Sequence, residues 1–357
     1  MVPDLQRGRY RHQRRWWSHD PRVRARIPAF VRSAGIERVE CIIGVERRSR
    51  RVSEVFDEVI PAALAGERLD RIVSLVAEIS RSEAAHAVES GGVTVDGAVA
   101  TSGKIRLTEG QRVTVDTSSI PVEELPHADP SVDVRVVHVD DHVIVVDKAP
   151  GIVVHPAPGH REGTLVNGLL ARFPEIASVG DPTRPGIVHR LDVGTSGLLV
   201  VARSDEAYEA LVEALSDHDV DRHYTALAWG HFDAPRGTID AAIGRDPRDP
   251  LRMAVVANGK PARTHYEVTR EFAEPEVSLV ACQLETGRTH QIRVHLAAAG
   301  HPVVGDSAYG GHRVSMPMSR PFLHAGSLSF AHPVTGDVLA FTVELPADLQ
   351  QILALCH

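Results

Sequence analysis

Residues 186–202 read Gly-Ile-Val-His-Arg-Leu-Asp-Val-Gly-Thr-Ser-Gly-Leu-Leu-Val-Val-Ala, a polar loop followed by an apolar run. The apolar residues 198–202 predict a buried strand, and the Gly-Thr-Ser-Gly sequence before them predicts a turn. Asp192 lies between Arg190 and this turn, so its carboxylate could sit at the edge of a sheet and face a cleft. The alternative is a structural role in which Asp192 only caps the turn.

A second polar segment, residues 284–296, reads Leu-Glu-Thr-Gly-Arg-Thr-His-Gln-Ile-Arg-Val-His-Leu. It predicts the end of a strand, a turn and then a helix that Thr289 caps. Arg288 would lie at the strand-to-helix turn, within reach of a buried aspartate. Arg293 and His295, farther along, are typical of a solvated helix face.

Tyr224 begins a third candidate segment, a predicted strand. An aromatic residue in that position belongs more often to the core than to a catalytic site. From residue 132 to about residue 351 the chain is rich in strands with interspersed helices, which indicates an α+β fold. The predicted strands include residues 136–139, 143–146, 198–202, 224–229 and 277–284, and one predicted helix spans 207–215.

A smaller α+β module precedes this part, at residues 60–117. Apolar residues at 69, 72, 73 and 76 repeat with the spacing of one helix face. Ser80 or Ser82 can cap a second helix, and Asp96-Gly97 predicts a hairpin turn. The polar, Pro-containing residues 118–131 then predict a linker.

The module resembles the S4 RNA-binding domain, in which a helix pair presents basic residues to structured RNA. The matching stretches are Arg68-Leu69-Asp70, Ser80-Arg81-Ser82 and Gly92-Val93-Thr94-Val95-Asp96-Gly97. The resemblance implies that Arg68 and Arg81 contact RNA. The alternative is a small packed domain with solvated charges, because acidic residues slightly outnumber basic ones in the module.

Charge is distributed unevenly along the chain. The net charge is −8, but residues 1–51 contain 14 Arg and 5 acidic residues, a balance of +9, which leaves −17 for the rest. An acidic body excludes a uniformly basic nucleic-acid binder and leaves open a local phosphate-binding surface. Residues 1–51 are interpreted as a disordered tail or as sequence upstream of the true start, in preference to a basic arm that binds nucleic acid.

Several classes of protein are disfavoured by what the sequence lacks. It has no GxSxG, no Walker A loop, no GxGxxG and no HExxH, and its 20 His show no metal-ligand spacing. The three Cys are scattered, which suits a reducing cytoplasm, and no apolar run is long enough for a membrane span. We therefore expect no metal, no organic cofactor and no membrane contact.

Taken together, the segments resemble the RluA-type pseudouridine synthases, with their HRLDxxTSG signature. The resemblance covers about residues 60–350, and the S4-like module points to the RluD-like branch. It also rests on residues 147–156 (Asp-Lys-Ala-Pro-Gly-Ile-Val-Val-His-Pro), 302–310 (Pro-Val-Val-Gly-Asp-Ser-Ala-Tyr-Gly) and Leu323-His324-Ala325. It implies a mixed, mainly antiparallel, bent-sheet catalytic domain at residues 132–351.

The resemblance also implies roles for individual residues. Asp192 would be the catalytic nucleophile, Arg288 would pair with it, and Tyr224 would stack on a flipped uridine base. Arg190 would enter the RNA stack that the uridine leaves, and Leu323 would add an apolar wall. The full set of residues expected to bind substrate is Arg190, Lys148, Leu323, His189, Thr195, His290, Arg293, Arg68 and Arg81.

Large-subunit ribosomal RNA is the expected substrate, because of the S4-like module. Transfer RNA is an alternative, and so is a non-catalytic RNA-binding factor in ribosome assembly. We expect a monomer in which RNA contacts come from a local cleft, so that residues 1–51 are dispensable for catalysis.

Overall fold

The computed structural model describes residues 54–119, 125–157 and 159–357. These residues form two compact units, divided between residues 120 and 121. The predicted tail, residues 1–51, lies outside the described residues, and so do residues 120–124 of the predicted linker. No described helix has the length and apolar character that crossing a bilayer requires.

The first unit packs a helix pair against a small antiparallel sheet of strand order β1-β4-β2-β3. Its described elements are β1 (Val55–Val59), α1 (Leu69–Val76), α2 (Arg81–Glu89), β2 (Val93–Val95), β3 (Ala98–Val99) and β4 (Arg112–Asp116). Strand β1 lies before the predicted start of the module at residue 60. Its residues are mostly exposed, so they show no clear apolar pattern in the sequence.

Local sequence explains this unit well. Leu69, Ile72 and Val73 of α1 are fully buried, as their spacing predicts. Ser80 caps α2 in a reciprocal capping box: its hydroxyl accepts from the Glu83 amide, and the Glu83 carboxylate accepts from the Ser80 amide.

The second unit holds a nine-stranded sheet with helices packed on it. Its described elements are β5 (Val136–Val139), β6 (Val143–Lys148), α3 (Leu165–Arg172), β7 (Ser196–Ala202), α4 (Asp205–Ser216), β8 (Asp221–Trp229), β9 (Arg236–Asp240), β10 (Ile243–Arg245), β11 (Met253–Val255), β12 (Arg263–Phe272), β13 (Val277–Leu284), α5 (Gln291–Ala298), β14 (Leu323–Ala331), β15 (Val338–Thr342) and α6 (Ala347–Leu353). Strands β10 and β11 form a separate two-stranded ribbon.

The large sheet has the order β5-β6-β7-β14-β8-β13-β12-β9, and every pair is antiparallel except β7 with β14. Strand β14 keeps β8 on one side but changes its other neighbour. It pairs with β7 at residues 324–325 and with β15 from residue 327 onward. Between residues 324 and 327 its pairing with β8 shifts in register. This confirms the predicted mixed, mainly antiparallel sheet, and it brings the starts of β7 and β14 together.

Gly197 permits that junction. Its φ is +114°, and a Cβ atom at this position would lie 2.2 Å from the carbonyl oxygen of Ala325 on β14. Only glycine combines this backbone conformation with so close an approach. The last residue of the Gly-Thr-Ser-Gly turn is therefore required for packing, and it sets the distance between the loop before β7 and the first residue of β14.

We expect Gly197→Ala to destabilise the second unit by at least about 3 kcal/mol, because it adds both backbone strain and a clash with β14. Urea unfolding measures this. Gly336→Ala is the matched control, since Gly336 also has a positive φ of +76° but has no atom within 4 Å of the added Cβ. It should cost about 1 kcal/mol, and equal losses in the two variants would contradict the clash.

Candidate active site

A cavity of about 380 Å³ opens in the second unit at the junction of β7, β14 and β8. This volume is within the usual range for a small-molecule or nucleotide pocket. Its walls come from the loop of residues 187–192 with Thr195, the end of α4, the inner face of β8, residues 287–292 and Leu323. Eight of the residues predicted to form a site line it: His189, Arg190, Asp192, Thr195, Tyr224, Arg288, His290 and Leu323.

Asp192 forms an ion pair with Arg293. Nη1 of Arg293 donates to Oδ2 of Asp192 at 3.0 Å, and both side chains are largely buried. The other donors of the same guanidinium are held by Asp306, which accepts from Nε at 2.6 Å and from Nη2 at 2.9 Å. Asp306 is fully buried, and the two carboxylates raise the pKa of Arg293 against the effect of burial. Arg293 is therefore a fixed cation between two aspartates.

The prediction that Arg288 pairs with Asp192 is wrong. Arg288 donates its Nε to the Pro261 carbonyl oxygen at 3.0 Å and stays exposed at the rim of the cavity. The interpretation of Arg293 as part of a solvated helix face is also wrong, because only 8% of Arg293 is exposed and His295 is fully buried. Helix α5 is covered on nearly all sides, so polar spacing along it does not mark a face in water.

Gln291 organises the turn before α5, and sequence reasoning missed it. Its Oε1 accepts from the Arg288 amide at 3.0 Å and from the Thr286 hydroxyl at 2.7 Å. Its Nε2 donates to the Arg263 carbonyl oxygen at 2.9 Å. The predicted cap at Thr289 is not present: the helix begins at Gln291 after His290, which has a left-handed φ of 58°.

Tyr224 and Leu323 form an apolar part of the cavity wall. Tyr224 points to the inner face of β8 and is 7% exposed, and Leu323 begins β14 and is 3% exposed. Burial raises the pKa of the Tyr224 phenol to about 12, against the opposing charge of Arg222 and with a smaller contribution from the charge of Asp192. Tyr224 is thus neutral at physiological pH and keeps its proton to donate.

Arg190 and His290 lie on the polar side of the cavity. Arg190 is exposed and donates from Nη2 to the Thr289 hydroxyl at 3.1 Å. His290 Nδ1 lies 2.8 Å from the Tyr309 hydroxyl, and burial lowers the pKa of this histidine. Three exposed arginines, Arg184, Arg190 and Arg288, therefore line the rim of the cavity, and His290 lies among its polar residues.

The expected contact of Lys148 with substrate is corrected by the structure. Lys148 is 1% exposed, and its Nζ donates to the carbonyl oxygens of Ala149 and Ile152 at 2.9 Å each. A third carbonyl oxygen, that of Val193, lies at 3.5 Å. Burial lowers the pKa of Lys148 to about 8, partly offset by the charge of Asp192. The ammonium group of Lys148 donates to backbone carbonyl oxygens and does not face the cavity. Lys148 therefore stabilises the backbone around Val193, next to Asp192.

Buried polar atoms without a partner concentrate around the cavity. Among the described residues, five buried side-chain nitrogen or oxygen atoms have no hydrogen-bond partner. Three of them belong to cavity residues: His155 Nδ1, Thr195 Oγ1 and Arg222 Nε. Such atoms are rare in folded proteins because they are costly, and their clustering is typical of a site that a ligand completes.

Arg68 and Arg81 lie in the first unit, on its helix pair. Both are exposed, and Arg68 donates its Nε to the Asp70 carboxylate at 3.0 Å. Arg81 begins α2. Each is available on the surface of its own unit.

Two family models match the chain. The model described as RNA pseudouridylate synthase matches residues 142–298, and the S4 domain model matches residues 67–113. An "Uncharacterized RNA pseudouridine synthase" of Chloroflexus aurantiacus is 48% identical over 83% of this chain and 92% of its own length. A "Ribosomal large subunit pseudouridine synthase D" of Xanthomonas campestris pv. campestris is 42% identical over 85% of this chain and 92% of its own.

One solved structure extends the likeness to the fold. "Human RNA Pseudouridylate Synthase Domain Containing 1" superposes with a TM-score of 0.51 and 30% sequence identity. The match covers 63% of this chain and 88% of the human chain.

We expect Arg293→Met to lower the free energy of unfolding by about 3–5 kcal/mol, because it leaves the buried charge of Asp306 without a partner. Arg288→Met is the matched control and should change it by less than about 0.5 kcal/mol, since Arg288 is exposed. Chemical denaturation of both variants measures the difference. Similar losses in the two would contradict the assignment of Arg293 as the buried cation.

Stability should also depend on His189 at acidic pH. Its Nε2 accepts from the Val200 amide at 3.1 Å, and burial together with the charge of Arg222 lowers its pKa to about 3. The folded protein therefore resists protonation that the unfolded chain accepts below about pH 6.5, and stability falls with pH in that range. Between pH 7 and pH 5 the contribution of His189 to the free energy of unfolding should fall by about 2 kcal/mol.

Urea unfolding of wild type and His189→Gln at the two pH values tests this. Glutamine can still accept from the Val200 amide but does not titrate. The variant should therefore show a smaller loss of stability at pH 5, and an equal loss in both proteins would count against His189.

Proposed function

The chain belongs to the RNA pseudouridylate synthase family and carries an S4 domain, and on that premise we propose that its substrate is ribosomal RNA of the large subunit. The protein is an RNA pseudouridine synthase, an isomerase that acts on uridines in RNA. The observation that carries the substrate proposal is the similarity, over both the S4 and the catalytic regions, to proteins named ribosomal large subunit pseudouridine synthase D. Those relatives are 41–42% identical to this chain.

The reaction needs access to an atom that a stacked base hides. The bond between C1′ and N1 of uridine breaks, the base rotates, and C1′ bonds to C5, with a proton lost from C5 and another taken up at N1. A base inside an RNA stack cannot undergo this, so the nucleotide must be extruded into a pocket. The cavity at the junction of β7, β14 and β8 supports that step, since the Asp192 carboxylate and the apolar surfaces of Tyr224 and Leu323 line the same space.

Asp192 is proposed as the nucleophile toward the flipped nucleotide. Arg293 holds the carboxylate in one orientation, while Asp306 holds Arg293 through two further hydrogen bonds. A carboxylate oriented by a rigid cation suits covalent catalysis because its attacking oxygen does not have to be positioned anew in each turnover. This assignment replaces Arg288 with Arg293 as the partner of Asp192.

Tyr224 and Leu323 are proposed to hold the base. The phenol ring offers a stacking surface on one side of the cavity, and its hydroxyl remains protonated because burial raises its pKa to about 12. Leu323 excludes water from the same wall. Arg190, exposed at the rim, is proposed to fill the gap that the uridine leaves in the RNA stack.

RNA binding is proposed to use the exposed Arg68 and Arg81 of the S4 domain in addition to the cavity rim. Cytoplasmic location and a monomeric state are part of the same proposal. The first draws support from the free, buried thiols of Cys282 and Cys356, which suit a reducing compartment.

We expect Asp192→Asn to lower the single-turnover rate by on the order of 10³-fold or more, as removal of a catalytic nucleophile commonly does. The fold should persist, because Arg293 keeps both bonds to Asp306 and the asparagine still offers a carbonyl oxygen. Release of tritium from RNA containing [5-³H]uridine measures the rate, since C5 loses its hydrogen in the reaction.

Asp217→Asn is the matched control, an exposed aspartate at the end of α4, outside the cavity, and it should keep the wild-type rate. Mapping of pseudouridines in a deletion strain tests the substrate. Sites lost from large-subunit ribosomal RNA, and restored by wild type but not by Asp192→Asn, would support the proposal. Loss confined to transfer RNA would overturn it.

A further inference from the structure

Arg222 is a buried cation in the cavity that the steps above do not use. It lies on β8 two residues before Tyr224, and both side chains point to the inner face of the strand. Only 6% of Arg222 is exposed. Since side chains alternate along a strand, these two residues stand about 7 Å apart along one wall.

The guanidinium of Arg222 lacks the partners that a buried cation normally has. Its Nη2 donates to the Glu285 carbonyl oxygen at 3.1 Å, and its Nε is buried without any acceptor. Among the described residues no carboxylate forms an ion pair with it. Burial lowers the pKa of Arg222, the expected sign for a cation withdrawn from water, and an arginine remains charged nonetheless.

Gly287, which has no side chain, leaves space for the guanidinium of Arg222. Nη1 of Arg222 lies 3.0 Å from where a Cβ atom on Gly287 would be, so any larger residue would press on the guanidinium. Leu215 and Leu284 line the same cavity. A buried charge kept without a counter-ion among apolar side chains is unfavourable for stability, which indicates that a ligand supplies the missing acceptor.

The depth of Arg222 decides which part of the RNA reaches it. Phosphate groups follow the outer path of the chain, whereas a flipped base enters a pocket with its ring. A base stacked on Tyr224 extends along the same wall toward Arg222. Uracil offers carbonyl oxygens at its edge, and arginine offers only donors.

We propose that Arg222 donates a hydrogen bond to an exocyclic carbonyl oxygen of the flipped uracil and neutralises the charge that the base acquires when it leaves the sugar. The electron pair of the broken C1′–N1 bond goes to the uracil, where it is delocalised onto the carbonyl oxygens. An oxygen of Asp192 takes the place of N1 at C1′ in this step. After the rotation the same electron pair forms the C5–C1′ bond, which releases the Asp192 carboxylate with the electrons of its bond to C1′; the C5 proton then departs to solvent and N1 is protonated. A fixed cation at the carbonyl edge stabilises the detached base during its rotation.

This inference rests on the proposed placement of the base against Tyr224. Single-turnover tritium release and RNA dissociation constants are measured for wild type and for Arg222→Met, Arg222→Gln and Arg222→Lys. We expect Arg222→Met and Arg222→Gln to react at least about 100-fold more slowly, with dissociation constants within threefold of wild type. Arg222→Lys keeps the charge and should lose less. The melting temperature of Arg222→Met should be unchanged or raised, whereas a structural arginine would lower it.

Arg172→Met is the matched control. Arg172 also donates to one backbone carbonyl oxygen, that of Val134 at 2.9 Å, but it lies on α3 outside the cavity. It should keep the wild-type rate. RNA carrying 2-thiouridine or 4-thiouridine at the target position identifies the oxygen, since sulfur is a weak acceptor. One of the two should slow wild type and leave Arg222→Met no slower than with uridine.

A rate for Arg222→Met within threefold of wild type would overturn the role of Arg222. So would a dissociation constant that rises as much as the rate falls, because that pattern marks a phosphate contact, or a thio-substitution that slows variant and wild type alike. A wild-type protein that releases no tritium from any RNA would instead overturn the proposed function, so the two failures are distinguishable.

Discussion

The candidate active site depends on one buried guanidinium, that of Arg293, which lies between two aspartates from distant parts of the chain. Asp306 holds it through two hydrogen bonds and Asp192 accepts a third. Because each of these groups would be costly to bury alone, the three are stable only together. The Asp192 loop, helix α5 and the segment that carries Asp306 are thereby tied to one geometry.

Hydrogen bonds to its carbonyl oxygens also fix the backbone next to Asp192. The Val193 carbonyl oxygen accepts from the Gly151 amide at 2.7 Å and lies near the Lys148 ammonium, while the Gly194 carbonyl oxygen accepts from Arg320 at 3.1 Å. Arg320 is in turn bound by Asp348 on α6 at 2.6 and 2.9 Å. Two buried cations therefore serve the loop as backbone donors and leave its carboxylate free to face the cavity.

The uneven charge of the chain acquires a physical meaning at this site. Within the acidic body, a few arginines lie inside the cavity region or at its rim. The buried ones interact more strongly with neighbouring charges than they would on a solvated surface, because the protein interior has a lower dielectric constant than water. Arg293 orients a carboxylate, Arg190 is exposed at the cavity rim, and the buried Nε of Arg222 has no hydrogen-bond acceptor among the described residues. Net charge reports none of this, because it sums groups that differ in burial and in distance.

The sequence by itself determined the secondary structure that obeys local rules. Helix α1 follows its apolar spacing, α2 follows its Ser80 cap, and the strands β5 to β8 follow their apolar runs. The motif around Asp192, taken together with residues 147–156, 284–296, 302–310 and 323–325, also indicated the family, and that resemblance implied a nucleophilic role for Asp192. Strand β1 escaped detection since its exposed residues carry no apolar period.

Only the tertiary structure decided which cation pairs with Asp192 and which cations reach the cavity. Arg293 lies 101 residues from Asp192 in sequence, and a helix buried on nearly all sides shows no one-sided pattern from which its contacts can be read. Arg288, Lys148 and Arg222 are all basic residues in the sequence. In the structure Arg288 is exposed, Lys148 is bound to backbone carbonyl oxygens, and Arg222 is buried with no carboxylate partner in the part of the chain that the structure describes. Charge is a property of the residue, whereas desolvation and pairing are properties of the fold, since they arise from groups brought together across distant segments.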